Sequence, residues 1–241
     1  GSALEIPGEM LASVLAASGT RSEVASSPMM VPIETPLTLS GFTDSAVKNF
    51  SGMFEQMGIR AVQGGANGSI HSAKPAAGWQ NSLRPGEAVA GVLVSGDMSV
   101  TGLGTVTYND GKRVLAFGHP FFNLGPVDMP MSKGEILMVL SSQFQPNKFG
   151  NATEIVGALH QDRHSGIMGV LGETSPTIPV SLKVRSYDSQ LKIVKEKDLN
   201  FNIFVQQKWT PFLMMLTLFN SIDGLNDFAD NVTYRFSGQI E

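Results

Sequence analysis

From residue 88 onward the chain is a succession of short apolar or β-branched runs, and the punctuation between them constrains the fold more than any other feature. Residues 88–94, 104–108, 113–117, 136–140, 153–160 and 167–171 form runs of five to eight residues, separated by Gly, Pro and Asn-Asp-Gly. Runs of this length suit strands, since a core helix needs about 10–12 residues to present a face. Between Thr105-Val-Thr-Tyr108 and Arg113-Val-Leu-Ala-Phe117 stands Asn109-Asp110-Gly111. That is a hairpin turn, because Asp-Gly tolerates the positive φ angles a tight reversal demands. Strands at this spacing predict a barrel or sandwich. The 26 Gly and 13 Pro in 241 residues, with only 16% charged residues, favour the same β-rich class over a helical bundle.

Around this block the pattern changes. Residues 7–18 read as a short helix with Pro7 at its start and Gly19 as its stop, followed by a polar connector to residue 27. Residues 30–39, with Pro32 and Pro36, read as an extended edge-type segment. Residues 43–57 are the clearest amphipathic helix: Thr43 or Asp44 caps it, Val47, Phe50, Met53, Phe54 and Met57 share one face, and Gly58 ends it. Residues 63–85 read as a long loop. Beyond Ser175-Pro176 come alternating strands at 178–185, 191–194, 199–205 and 232–240, interrupted by a helix at 210–222 with Pro211 in its first turn. The expected organisation is an N-terminal helix and connector (1–29), a β domain (30–176) and an accessory β unit with one helix (177–241).

Several function classes recede on composition. A net charge of -4 with no Lys/Arg-rich run gives no field for gripping phosphates, so nucleic acid is not an expected partner. The absence of cysteine removes disulfides, thiolate catalysis and Cys-ligated zinc. No apolar stretch approaches the roughly 20 residues of a membrane span; the longest, 211–219, is too short. Gly1-Ser2 reads as a cloning remnant, so the native start and any targeting signal are expected to lie outside the sequence. No cofactor is expected.

Four histidines are candidates for chemistry. His71 falls in the long loop and carries no expected role. His160 and His164 have the H-x-x-x-H spacing that aligns two imidazoles on a helix, but the preceding run reads as strand, where residues four apart do not converge. Both are read as loop histidines in preference to metal ligands. His119 differs. In Ala116-Phe-Gly-His-Pro-Phe-Phe-Asn-Leu-Gly125 it follows a strand, between aromatic clusters, with Gly before and Pro after. Two readings stand side by side: a general base walled by apolar side chains, or a structural histidine bonding a backbone carbonyl across a tight turn. Asp162, Asp97 and Asp128 are the carboxylates considered as its partner. Each also has a plain reading, Asp162 pairing with Arg163 or capping a turn and Asp97 setting an Asx-turn.

Residues 96–180 resemble the SpoIVB peptidase family of bacterial serine endopeptidases. The matching pieces are Gly102-Leu-Gly-Thr-Val-Thr-Tyr108, Leu115-Ala-Phe-Gly-His119, Lys133-Gly-Glu-Ile136 and Gly166-Ile-Met-Gly169, in that order. The longer AFGHPFFNLGP string is similar to a branch found in large, often secreted bacterial proteins. The resemblance implies a two-barrel trypsin-like peptidase, partial here and permuted in order, acting in the periplasm or outside the cell on a peptide or protein substrate. His119 matches the family's catalytic base. The family's nucleophile lies in G-M-S-G-S-P, which is absent: of the serines followed by Gly (Ser18, Ser40, Ser51, Ser95, Ser165 and Ser237), none has Gly two residues earlier. Because Leu4-Glu-Ile-Pro-Gly-Glu-Met-Leu11 resembles the segment after that motif, the resemblance places the serine upstream on a segment of the same protein. The chain alone is then expected to be inactive. Asp162 and Asp97 remain candidates for the acid, although the family's acid precedes the serine. The rival expectation is a non-catalytic protein-binding scaffold on the same fold.

Overall fold

The computed structural model describes residues 35–65, 70, 72, 74–140, 147–225, 233 and 235–239, together with the backbone of two short strands, β1 (Leu4–Glu5) and β2 (Met29–Met30), which pair antiparallel. The helix expected at 7–18 and the loop histidine His71 lie outside the described residues. The remaining strands are β3 (Thr35–Ser40), β4 (Ile59–Gln63), β5 (Ala88–Gly96), β6 (Ser99–Asn109), β7 (Arg113–Ala116), β8 (Gly125–Leu140), β9 (Asn147–Arg163), β10 (Gly166–Leu171), β11 (Thr177–Tyr187) and β12 (Ile193–Phe204). Two helices, α1 (Asp44–Gln56) and α2 (Trp209–Asp223), and one short 3-10 turn (Trp79–Asn81) complete the set. The protein is mainly β.

Ten strands form one sheet in the order β11-β12-β5-β8-β9-β10-β7-β6-β3-β4. Because β5 also pairs with β6, strands β5, β8, β9, β10, β7 and β6 pair around a ring. The β6–β7 reversal forms as its sequence predicts. Gly111 takes φ 91°, its N–H donates to Asn109 Oδ1 at 2.7 Å, and Asp110 Oδ1 accepts from the amides of Lys112 and Arg113. Residues facing into the ring, among them Val89, Leu93, Val106, Val114, Met129, Met131, Val156, Leu159 and Ile167, belong to the main apolar core. A smaller cluster of Ile70, Ala90, Val92, Ala152 and Ile155 lies on the other side of β5.

Several sequence boundaries move. β8 and β9 run far beyond 136–140 and 153–160: the ladder shifts register just after Pro126 and continues in register through Pro130, so neither proline ends the strand. Residues 191–194 and 199–205 merge into β12. β3 is not an edge: β4 pairs along one side and β6 along the other. Pro36 is tolerated because the β6 pairing starts only at Thr38. Among the described residues of 232–240, none is in a strand.

The 177–225 stretch shares the core of the ring. β12 pairs with β5 through Phe201–Ile203, and Leu199, Phe201, Ile203, Phe204, Trp209, Phe212, Leu213 and Leu216 join the main cluster. α1 and α2 pack through Phe54 and Phe212, ring centres 5.1 Å apart and nearly perpendicular. Thr43 caps α1 by accepting from the Ala46 amide, as expected, and also donates its hydroxyl to Asp223. The buried Asn220 of α2 accepts from Thr43 N and donates to Gly41 O, so the two helices are tied by hydrogen bonds as well as apolar contact.

Candidate functional site at the β7–β8 connection

Residues 117–124 leave β7 and turn back into β8, and their path is fixed by glycines on other strands. Gly91 of β5 is paired directly with Gly102 of β6. Phe121 fills the space they leave inside the ring: a Cβ at Gly91 would fall 2.5 Å from its Cε1, and one at Gly102 would fall 2.2 Å from its Cε2. Two residues along β6, Gly104 makes the same room for Phe117. Both rings, 5.2 Å apart edge to face, are anchored in the ring of strands, while His119 between them stays exposed. Phe121 stacks on Phe122 at 4.0 Å, and Phe122 meets Trp209 at 4.4 Å, which ties the connection to the start of α2.

The backbone here is unusual. Phe117 (φ 74°) and Gly118 (φ 75°) are left-handed on the approach to His119, and Asn123 (φ 57°) and Gly125 (φ 78°) are left-handed on the exit. A bulky residue in that region is strained and persists only where its surroundings over-determine it. Here the anchored Phe117 ring and the hydrogen bonds to Asp162 do so.

Asp162, at the end of β9, is 3% exposed and aims its carboxylate at the connection. Its Oδ1 accepts from Phe121 N at 2.7 Å; its Oδ2 accepts from Phe122 N at 2.7 Å and Leu124 N at 3.1 Å. Asp162 neither pairs with Arg163, whose Nε donates to Gln161, nor contacts the imidazole. His119 Nδ1 lies 2.8 Å from the carbonyl oxygen of Pro120. A carbonyl only accepts, so Nδ1 carries the proton in that bond and Nε2 holds the lone pair of the neutral ring. Among the described residues, no hydrogen bond reaches Nε2.

The structure therefore brings Asp162 and His119 to one connection without direct contact, and it puts Asp97 elsewhere. Asp97 stands between β5 and β6, where its Oδ2 accepts from Asn200 N at 2.6 Å and its amide donates to Asn200 O at 3.0 Å. It pins β12 to the β5–β6 hairpin beside a shallow cleft of about 320 Å³ lined also by Pro179, Val180, Ser181 and Asn202. The Asx-turn reading of Asp97 gives way to this cross-strand tie.

His160 is not in a loop: it lies within β9, Nε2 2.7 Å from Glu173 and Nδ1 3.9 Å from Asp128. Asp128 is thus a neighbour of His160. His164 is exposed in the β9–β10 turn, and among the described residues no group of three His, Asp or Glu is placed to hold a metal. Ser165 occupies the same turn, and the following Gly166 packs against Ala116 O and Gly118 N. Among the described residues no serine hydroxyl bonds to His119. The glycine pocket was not read from the sequence, and the carbonyl bond of His119 was read without Pro120 as its owner; a Gly-x-Gly in a strand opposite a further Gly is the signal that marks the pocket.

No family model, curated protein or solved structure matches this chain.

Proposed function

We propose that the chain is the histidine-bearing part of a serine endopeptidase, with His119 as general base and acid for peptide-bond hydrolysis. The nucleophilic serine is supplied by another segment of the same protein, which acts on a peptide or protein substrate outside the bacterial cytoplasm. One observation carries the reading: an exposed imidazole, bonded through Nδ1 to a carbonyl and, among the described residues, unengaged at Nε2, on a connection held by the buried Phe121 ring, the half-buried Phe117 ring and a buried carboxylate. A general base needs that arrangement, because Nε2 must be unprotonated, accessible and fixed in direction. The AFGHPFF resemblance supplies the reaction class, and a six-membered ring of antiparallel strands is compatible with half of a two-barrel peptidase.

A second reading, a non-catalytic binding module, is favoured by the absence of any described serine bonded to His119. Casein cleavage by the protein carrying this chain with its flanking sequence, beside the His119→Ala variant, separates the two. The peptidase reading expects cleavage that the substitution abolishes at unchanged melting temperature. Absence of cleavage in both, or equal cleavage in both, sinks it.

A further inference from the structure

The Pro120–Phe121 peptide unit is hydrogen-bonded at both ends. Its carbonyl oxygen lies 2.8 Å from His119 Nδ1, and its N–H donates to Asp162 Oδ1 at 2.7 Å. Asp162 is buried, and its second oxygen is taken by the amides of Phe122 and Leu124. A capping carboxylate would satisfy these three amides wherever the next carbonyl pointed. What goes beyond capping is that the first amide belongs to the same planar unit as the carbonyl that receives the imidazole. An anion on the N–H end of an amide polarises it, so its carbonyl oxygen becomes a stronger acceptor, and hydrogen bonds in such a chain reinforce one another.

We infer that Asp162 is a positioning residue for His119, acting through the Pro120–Phe121 peptide as a carboxylate–peptide–imidazole relay. This rests on the proposed function only in taking His119 as the working group. In the familiar triad the carboxylate bonds Nδ1–H directly and fixes the tautomer. Here the polarised carbonyl does so, one peptide plane removed from the negative charge. No proton crosses the peptide. The relay holds the neutral ring as the Nδ1–H tautomer with Nε2 as base, and when Nε2 takes a proton the strengthened carbonyl faces the positive ring. The left-handed Phe117 and Gly118, and Phe121 buried behind the same peptide, keep its plane in register with both partners.

The test is long-range proton–nitrogen NMR of the histidine rings in the 15N-labelled 241-residue chain, at a pH where the rings are neutral. His119→Gln assigns the His119 signals by their loss. The wild type is expected to show His119 as the Nδ1–H tautomer, with the Phe121 amide proton far downfield. In Asp162→Asn, with far-UV circular dichroism retained, the ring signals move toward a mixture of tautomers and the Phe121 amide moves upfield. If the ring signals of the variant match wild type while the amide moves, Asp162 is a cap alone and the relay is refuted. A wild-type ring in the Nε2–H form refutes it without any variant, which keeps the test decisive should Asp162→Asn fail to fold. Neither readout needs peptidase activity. A protein that fails to cleave while showing the expected tautomer loses the proposed function and keeps the relay.

Discussion

Phe121 enters the ring of strands only because Gly91 and Gly102 face each other there, so the geometry around His119 depends on atoms that are missing from two other strands. A single methyl tests this. Gly102→Ala would place a Cβ 2.2 Å from the Phe121 ring, whose tip also lies over Gly91 on the paired strand. The expected cost is about 1–3 kcal/mol of overpacking, read as a lower urea midpoint at unchanged slope. His119→Ala removes an exposed side chain, so its stability is expected to stay within about 0.5 kcal/mol of wild type in the same titration. At this scale the histidine itself was legible, from its place between Gly and Pro at a strand end. Its hydrogen bond was half legible: the carbonyl bond of the structural reading is present, but the ring is exposed, as a base requires. Asp162 was legible as a carboxylate that caps a turn, but which turn was not, because its partners are backbone amides from a connection some forty positions away, and amides carry no sequence identity.

Among the elements, the β11–β12 hairpin and the helix pair are held by different forces. Along the hairpin, Glu196 accepts from Arg185, and Lys183 reaches both Glu196 and Asp198. Arg185 first, then Lys183, hold the Glu196 carboxyl below its ordinary value, and Asp198 then Glu196 hold the Lys183 ammonium above its own. A lowered carboxyl contributes stability above its unfolded pKa and loses it as pH falls through the folded one. A raised ammonium contributes below its unfolded pKa and loses it as pH rises through the folded one. These pairs are exposed and individually weak. Amide exchange in residues 183–187 and 193–198 is therefore expected to quicken, relative to the ring, below the glutamate range and above the lysine range, and to be slowest between. Uniform protection across that span would refute the ion-pair account of the hairpin.

The helix pair depends on buried polar bonds. Asn220→Ala leaves Thr43 N and Gly41 O without their partner, at an expected cost of about 1–3 kcal/mol in chemical denaturation. The strands between residues 88 and 205 were readable from the alternation of apolar runs and turns, and α1 from its cap and stripe, whereas β4 was not read and the described residues of 232–240 form no strand. Strand length was not readable. β8 continues past Pro126 by shifting register and through Pro130 in register, and that depends on which partner the neighbouring strand offers, not on local propensity.

For the whole molecule, the organising fact is one main apolar core that begins at Leu37, fills the ring of strands and continues through β12 into both helices. The stretch beyond residue 176 is stitched to it by the β12–β5 pairing, the Asp97–Asn200 bonds and the Phe122–Trp209 contact. The chain's two tryptophans report on its two sides: Trp79 lies against Gly172 beyond β10, and Trp209 opens α2. A shared core predicts that fluorescence of Trp79→Phe and Trp209→Phe variants gives coincident urea transitions after allowance for each variant's own stability. Two separated transitions would show that the 177–225 stretch unfolds by itself.

The core also explains why an exposed histidine can be held in one direction: its connection is anchored in the core by the buried Phe121 and Asp162 while the imidazole stays in solvent. The most direct test of His119 as a base is the rate at which a fluorophosphonate labels serine in the protein that carries this chain with its flanking sequence, with and without His119→Ala. The account predicts labelling of a single serine outside residues 1–241, slowed about 10²–10⁴-fold by the substitution. Equal labelling rates, or no labelled serine in the wild type, would contradict it.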